Sequence, residues 1–273
     1  MRLINRRPAP GVARLLALVP FVLVMVAYLI GSGIRLSENP SDKLLPSFAS
    51  FAAAIDRMAF QVDQRTGDIL LLVDTEASLY RLFAALAIAV AIGLVLGIVI
   101  GLLPYFRAGL GSFVAVVSMV PPLALLPILF ITMGLGEASK IALIVIGVAP
   151  CLVRDVALRV GDLPPQQSIK AQTLGASTWQ IVLRVVLPQT LPRLIDSLRL
   201  QIGPAWLFLI AAEAIASESG LGYRIFLVRR YLAMDVILPY VAWITLLAFL
   251  MDRALAILQR RAFPWFEAAR ASG

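Results

Sequence analysis

Chemistry needs groups that ionise, coordinate or attack, and this chain keeps few of them. It has no histidine, one cysteine and only 15% charged residues. The absence of histidine removes Ser-His-Asp and Cys-His triads, HExxH zinc sites and imidazole proton relays together. Cys151 lies in an apolar run, so neither an internal disulfide nor a cysteine-based metal site is available, and it reads as a small buried hydrophobe. No GxxxxGK[ST] occurs, so the chain has no P-loop of its own. The sharpest single candidate is Glu213, which follows an uncharged run at 200–212. A carboxylate at the centre of a spanning helix costs about 2.5–3.5 kcal/mol on insertion scales. Such a group faces a route, pairs with a partner, or sits at an exposed helix end where the cost falls. Met119, Trp206 and Ser217 are weaker companions for a translocation path, tryptophan being more often an anchor or a packing residue.

Two further features are conformational. Val120-Pro121-Pro122-Leu123, with Pro127 after it, interrupts an apolar run. Adjacent prolines break the helix and free carbonyls, which is tolerated at membrane depth only under cover of protein or along a cavity. A packing kink and a cavity-lining break both fit. The second feature is KAQTLGASTWQIVLRVVLPQTLP at 170–192, a polar, amphipathic segment in a chain otherwise written for lipid.

The elements that must position these residues follow from hydropathy. The chain has 273 residues, is 60% hydrophobic, and has a mean hydropathy of +0.91. A soluble fold of this length cannot hide so much apolar surface, so an all-α, polytopic membrane protein is predicted. Residues 15–34, 82–106 and 108–136 are uncharged runs long enough to span. Residues 141–153, 200–212 and 236–251 are shorter. The first must borrow from both ends with Lys140 snorkelling outward, the second extends to about Ser217, and the third continues through 254–258. Six transmembrane helices result. The first is read as an uncleaved anchor rather than a signal peptide, because its apolar stretch is long.

The net charge is +8, but the basic residues flank apolar runs rather than cluster with aromatics, so no nucleic-acid partner is expected. With the N-terminus in the cytoplasm, Arg2, Arg6, Arg7, Arg14, Arg107, Arg154, Arg159, Lys170 and Arg270 fall inside. Glu38, Asp42, Asp56, Asp74 and Glu76 fall outside. This places both termini in the cytoplasm. Arg229 and Arg230 fall outside and oppose the rule locally. The organisation expected is an anchor helix and external segment at 1–76, with a short helix near 48–60, a transmembrane domain at 77–265 and a cytoplasmic tail at 266–273.

The polar segment is predicted in detail. Asp162 before Pro164-Pro165 signals a helix start, and that helix runs to about Leu174. Gly175 permits a turn that a side chain resists. Ser177-Thr178-Trp179-Gln180 has the form of a capping box opening a second helix. On it Trp179, Val182, Leu183 and Val186 share the apolar face, and Pro188 ends it. Both a self-packed surface loop and a docking element fit this amphipathic pattern.

The spacing Gly175, Val185, Leu187, Pro188 resembles the EAA loop of ABC-transporter inner-membrane subunits: glycine, nine residues, an aliphatic, one residue, Leu-Pro. The blocks SMVPPLALLPILFITMGLGEASKI (118–141), AAEAIASESGLGY (211–223) and LQRRAFPW (258–265) are similar to permeases of the nitrate, sulfonate and taurine importer type. The resemblance covers about residues 78–265. It implies that Ala171, Leu174, Gly175, Ala176, Ser177 and Trp179, with Pro188 behind them, form a coupling helix resting in a groove of a cytoplasmic ATPase. The glutamate and first alanine of the family pattern are Ile169 and Lys170 here, so that docking rests on shape and apolar burial.

It further implies an ATP-driven importer of a small polar solute working by alternating access, with no cofactor in this chain and ATP and magnesium on the ATPase. An extracytoplasmic solute-binding protein and a second permease copy, identical or a sister chain, complete it. Glu213, Met119, Pro121, Pro122, Trp206 and Ser217 are the path candidates. The outline of 200–265 is also similar to permeases of urea- or guanidine-type compounds, so the solute stays open. The rival readings are a self-sufficient secondary carrier, for which Glu213 is the deep ionisable group, and a membrane enzyme, for which no constellation is present.

Overall fold

The computed structural model describes residues 8–39, 42–64 and 67–266, and these form helices and turns without a strand. Arg2, Arg6, Arg7 and the tail beyond Phe266, including Arg270, lie outside the described residues. The helices are α1 (Pro10–Glu38), α2 (Phe48–Ala59), α3 (Leu70–Leu102), α4 (Pro104–Val117), α5 (Leu126–Met133), α6 (Glu137–Gly161), α7 (Pro165–Thr173), α8 (Thr178–Ile181), α9 (Leu187–Ala216), α10 (Leu221–Arg229) and α11 (Met234–Ala262). Five helical runs are long and apolar enough to cross a bilayer: α1, α3, α6, the run Thr178–Ala216, and α11. A bent pair, α4 with the segment Pro122–Met133, brings the number to six if it is counted as one span.

That pair corrects the single span expected over 108–136. α4 ends at Val117, a 3₁₀ turn covers Pro122–Leu125, and the two arms bend by 82°. Pro121 and Pro122 cannot donate to the helical ladder, and a residue before proline is pushed out of the α region, so the chain turns there.

A second correction concerns Pro188, which does not stop its helix. Val182–Val186 adopts a π-helix between α8 and α9, and the continuous run Thr178–Ala216 is 39 residues long. A proline lacks the N–H and its ring crowds the carbonyl four residues back; the wider π turn accommodates both. The helix that carries the fifth apolar run therefore begins well before Leu200 and passes through it without a break.

The bundle is built on α3 against α6. Gly93, Gly97 and Gly101 recur every fourth residue on α3 and face Leu152, Val156 and Val160 on α6. A Cβ on Gly97 would stand 2.5 Å from Val156 Cγ1, and one on Gly101 would stand 2.5 Å from Val160 Cβ. Small residues at this spacing let two helices approach closely where no hydrophobic effect drives them together. α9 also packs on α6, with the Phe208 ring lying against Gly147, and with Val148, Ala205, Leu209 and Ala212 buried in the shared core. Arg107 turns back to cap α3, donating to the Ile100 and Gly101 carbonyls.

α1 stands apart, and only 6% of its span is buried. It is tied at one end. The Tyr28 hydroxyl donates to the Pro46 carbonyl at 2.6 Å, Ser32 Oγ to the Leu45 carbonyl at 2.9 Å, and Arg35 pairs with Asp42. The Leu44 N–H and the Arg35 guanidinium hold the Asp42 carboxyl below the ordinary carboxylate range. α2 forms where expected, capped by Ser47 and packed on α11 and α3.

Candidate functional site

Two assemblies lie at opposite ends of the bundle: an elbow at 162–187 and a buried charged cluster near the start of α3. In the elbow, Pro164 and Pro165 set the entry to α7, and Asp162 serves as the C-cap of α6 rather than capping α7. The Ala176 N–H donates to the Ala171 carbonyl at 3.0 Å and closes α7. Gly175 has φ +78°, yet an added Cβ would meet no heavy atom within 4 Å. The backbone conformation, not the space, selects glycine there. The capping box forms as expected: the Gln180 N–H reaches Ser177 Oγ at 3.3 Å, and the Ser177 N–H reaches Gln180 Oε1 at 2.8 Å. Gln189 Nε2 bridges to Gln167 Oε1 at 2.8 Å, tying α9 to α7.

The apolar face differs from the expected one. Ile181 and Val186 are buried, whereas Trp179 is 68% exposed and Leu183 is also exposed. The π segment widens the turn and rotates the face that a regular helix would bury. Leu174, 88% exposed, and Ile169 join Trp179 as apolar side chains facing outward. Gly175 and Ser177 are exposed, and Ala171, Ala176 and Pro188 are half-buried. A shallow depression of ≈ 350 Å³ opens among Ala171, Leu174, Gly175, Gln180, Ile181 and Arg184.

At the other end Glu213 is fully buried, which removes the exposed-helix-end reading. Its carboxylate accepts from Ser78 Oγ at 2.8 and 3.0 Å, from Arg81 Nη1 at 2.7 Å and from the Gly222 N–H at 2.8 Å. Arg81 also donates to the Ser219 carbonyl at 2.8 Å and to Glu137, which in turn pairs with Lys140 at 2.9 Å. Asp74 accepts from the Gly220 N–H at 3.0 Å, Arg224 Nε at 2.7 Å and the Tyr240 hydroxyl at 3.1 Å, and the Leu221 N–H donates to Ser78 Oγ at 2.8 Å. Lys140 is thus buried in the cluster and does not snorkel outward. Within this chain Glu213 holds α3, α9 and α10 together.

Asp74, Ser78, Arg81, Glu137, Arg224 and Tyr240 were not singled out from sequence. The signal was present in part: 74, 78 and 81 are spaced i, i+4, i+7, a polar stripe on the face of an apolar helix. The other nominated path residues do not join the cluster. Met119 and Pro121 are exposed at the α4–α5 bend, Pro122 is half-buried there, and Trp206 is packed in the core. Among the described residues Trp206 Nε1 and Ser217 Oγ are buried without a hydrogen-bond partner.

Comparison with known proteins adds an independent line. Residues 70–264 match the family described as "Binding-protein-dependent transport system inner membrane component". The chain is 39% identical over 198 residues to the taurine transport system permease protein TauC of Escherichia coli (strain K12), covering 72% of each. It is 30% identical over 146 residues to the putative aliphatic sulfonates transport permease protein SsuC of the same strain, covering 54% of this chain and 56% of that one. It is 30% identical over 121 residues to the nitrate import permease protein NrtB of Synechococcus elongatus, covering 44% and 43%. The fold is similar to that of a chain in the inward-facing MetNI methionine ABC transporter, with a TM-score of 0.63 at 20% identity over 70% of this chain and 95% of the other. It is also similar to a chain of a bacterial ABC transporter involved in alginate import, with a TM-score of 0.65 at 13% identity over 92% and 94%.

Proposed function

This chain belongs to the family of inner membrane components of binding-protein-dependent transport systems, and from that membership we propose how its two assemblies serve an ATP-driven importer. The chain is a multi-pass permease subunit and not itself an enzyme. The elbow lies on the cytoplasmic side together with both termini, and it docks on a separate ABC ATPase that holds ATP and magnesium. A soluble binding protein delivers solute at the opposite face. The solute is a small polar compound, and the match to a taurine permease supports a sulfonate-bearing one.

The observation that carries this reading is the continuity between elbow and span. Ser177 and Gln180 lock the start of α8, the π segment carries the helix past Pro188, and the run continues to Ala216. At 1.5 Å per residue this is a strut of about 58 Å. Leu174 and Trp179 present apolar surface at its foot, each side chain contributing about 1.5–3 kcal/mol on full burial. Movement of the docked elbow is therefore delivered to Glu213 and to whatever Glu213 holds. The exposed bend at Met119 and Pro121 needs cover at membrane depth, which a second copy or a sister chain facing a shared route supplies. Inward and outward openings then alternate, and nothing covalent happens to the solute.

Single cysteines at Leu174 and Trp179 test the reading. Cross-linking to the ATPase from the cytoplasmic side, and uptake of radiolabelled taurine by proteoliposomes only when ATPase, ATP and binding protein are all present, are expected. Uptake driven by an ion gradient without the ATPase would overturn it.

A further inference from the structure

Two buried cations share one half-exposed carboxylate. The side chains of Arg81 and Lys140 are each 4% exposed, whereas that of Glu137 is 49% exposed. Arg81, on α3, donates to Glu137 through both Nε and Nη2, the second at 2.9 Å. Lys140 reaches the same carboxylate from the next turn of α6, Nζ to Oε1 at 2.9 Å. Three donors from two helices thus converge on one anion. The planar fork of a guanidinium suits any oxyanion that offers two oxygens side by side. The remaining nitrogen of Arg81, Nη1, is committed to Glu213 and the Ser219 carbonyl. Lys140 has no such second anchor: among the described residues its one acid is Glu137.

The surroundings of Glu137 are open. It is the first residue of α6 and follows the exposed turn Gly134-Leu135-Gly136. Gly134 has φ +77° with no heavy atom within 4 Å of an added Cβ, and Gly136 gives α6 no side-chain cap. The N–H groups at that helix start favour negative charge beside them. On the sidedness proposed above, this is the end of the bundle at which solute arrives.

We infer that Arg81 and Lys140 form an anion subsite which Glu137 fills until solute enters, and that its ligand is the sulfonate head of a zwitterionic amino-sulfonate. A sulfonate brings three oxygens to the three donors Arg81 Nε, Arg81 Nη2 and Lys140 Nζ. The displaced Glu137 carboxylate, tethered beside them, takes the ammonium group of the same molecule. The zwitterion is neutral, so the charge balance of the cluster is unchanged. Leaving Lys140 buried without an acid is costly, so Glu137 departs only as another anion replaces it. A solute without an anionic head has no means of opening the site. Competition from Glu137 also keeps binding shallow. If the site is free in about 10% of molecules or fewer, apparent affinity falls by about tenfold or more. Shallow binding suits a station on a route, which must release what it receives.

The inference rests on the reading above that the solute carries a sulfonate, and binding measured apart from transport keeps the two separable. The permease is assembled with its ATPase in nanodiscs without a binding protein. Its unfolding midpoint is then followed in sodium ethanesulfonate, in taurine, and in sodium chloride at matched ionic strength. E137Q holds the guanidinium fork with a neutral amide. In chloride it is expected to unfold at a lower midpoint than wild type, and ethanesulfonate should return part of that loss. Ethanesulfonate should bind E137Q about tenfold more tightly than wild type. Wild type is expected to prefer taurine to ethanesulfonate, because only taurine supplies a partner for the displaced carboxylate; E137Q should lose that preference. E137Q/K140M should lose the sulfonate response, and E137Q/K140R should keep it. Should E137Q fail to fold, E137D retains the charge on a shorter side chain and should show the same gain in smaller measure. A midpoint that responds to ethanesulfonate no more than to chloride in both Glu137 variants overturns the subsite, as does a response that survives in E137Q/K140M. ATP-driven taurine uptake by wild type beside such a result removes the subsite alone and leaves the importer reading standing.

Discussion

The carboxylate of Glu213 occupies the space that a side chain on Gly220 would need. A Cβ built on Gly220 would stand 2.5 Å from both the Glu213 carboxyl carbon and Oε1, on a backbone with φ +129°. The loop between α9 and α10 therefore closes onto the carboxylate with bare backbone.

Gly220→Ala is accordingly expected to lower the thermal midpoint of the detergent-purified chain sharply, through strain and loss of the Glu213 contacts. Glu213→Gln removes the charge opposite Arg81; breaking such a buried pair costs about 3–5 kcal/mol. Unfolding followed by tryptophan fluorescence reads both. Retention of stability in Glu213→Gln, with uptake alone lost, would assign Glu213 to the solute route instead.

Gly97→Ala is expected to destabilise by about 1–3 kcal/mol through overpacking against Val156. Val156→Ala in the same chain should return part of that loss, because it clears the atoms the new Cβ meets. A double-mutant cycle on the unfolding midpoint measures the coupling, and strict additivity would argue that the two helices do not touch there.

At the elbow, Gly175→Ala is expected to cost about 1 kcal/mol locally, from the left-handed backbone alone. Gly175→Trp should leave membrane insertion intact, since no atom lies near the added Cβ, yet abolish coupled uptake. Ser177→Ala removes one arm of the capping box, worth about 1 kcal/mol, and should reduce the ATPase rate stimulated by the binding protein. Normal uptake with normal ATPase recruitment in Gly175→Trp would count against docking.

Trp206 buries an indole N–H with no partner among the described residues. Trp206→Phe removes that donor and keeps an aromatic ring, so stability should stay within about 1 kcal/mol. Uptake kinetics provide the second readout: an unchanged KM marks a packing residue, and a raised KM at unchanged stability marks a solute contact.

The sequence shows the spans well because length and apolarity act locally. α2, the capping box and the turn at Gly175 were legible for the same reason: each depends on residues within a few positions. The bend at Pro121-Pro122 was legible as a break but not as an 82° turn, since an angle depends on what the arms pack against. Pro188 misled, because a π segment upstream can absorb a proline and nothing in the residue types announces it. The partners of Glu213 were out of reach: Ser78 and Arg81 lie more than a hundred residues away, and only the fold brings them together. The glycine stripe on α3 was legible in principle, as GxxxGxxxG, but its meaning depended on finding α6 across from it.

The charged cluster near the start of α3 also has an electrical consequence. At full ionisation Asp74, Glu137 and Glu213 contribute three negative charges, and Arg81, Lys140 and Arg224 three positive ones. The sum is zero. A single charge displaced through the whole membrane field does work of about 2.3 kcal/mol per 100 mV. A neutral block translated as one piece does none, so a voltage across the bilayer exerts no net force on this part of the molecule.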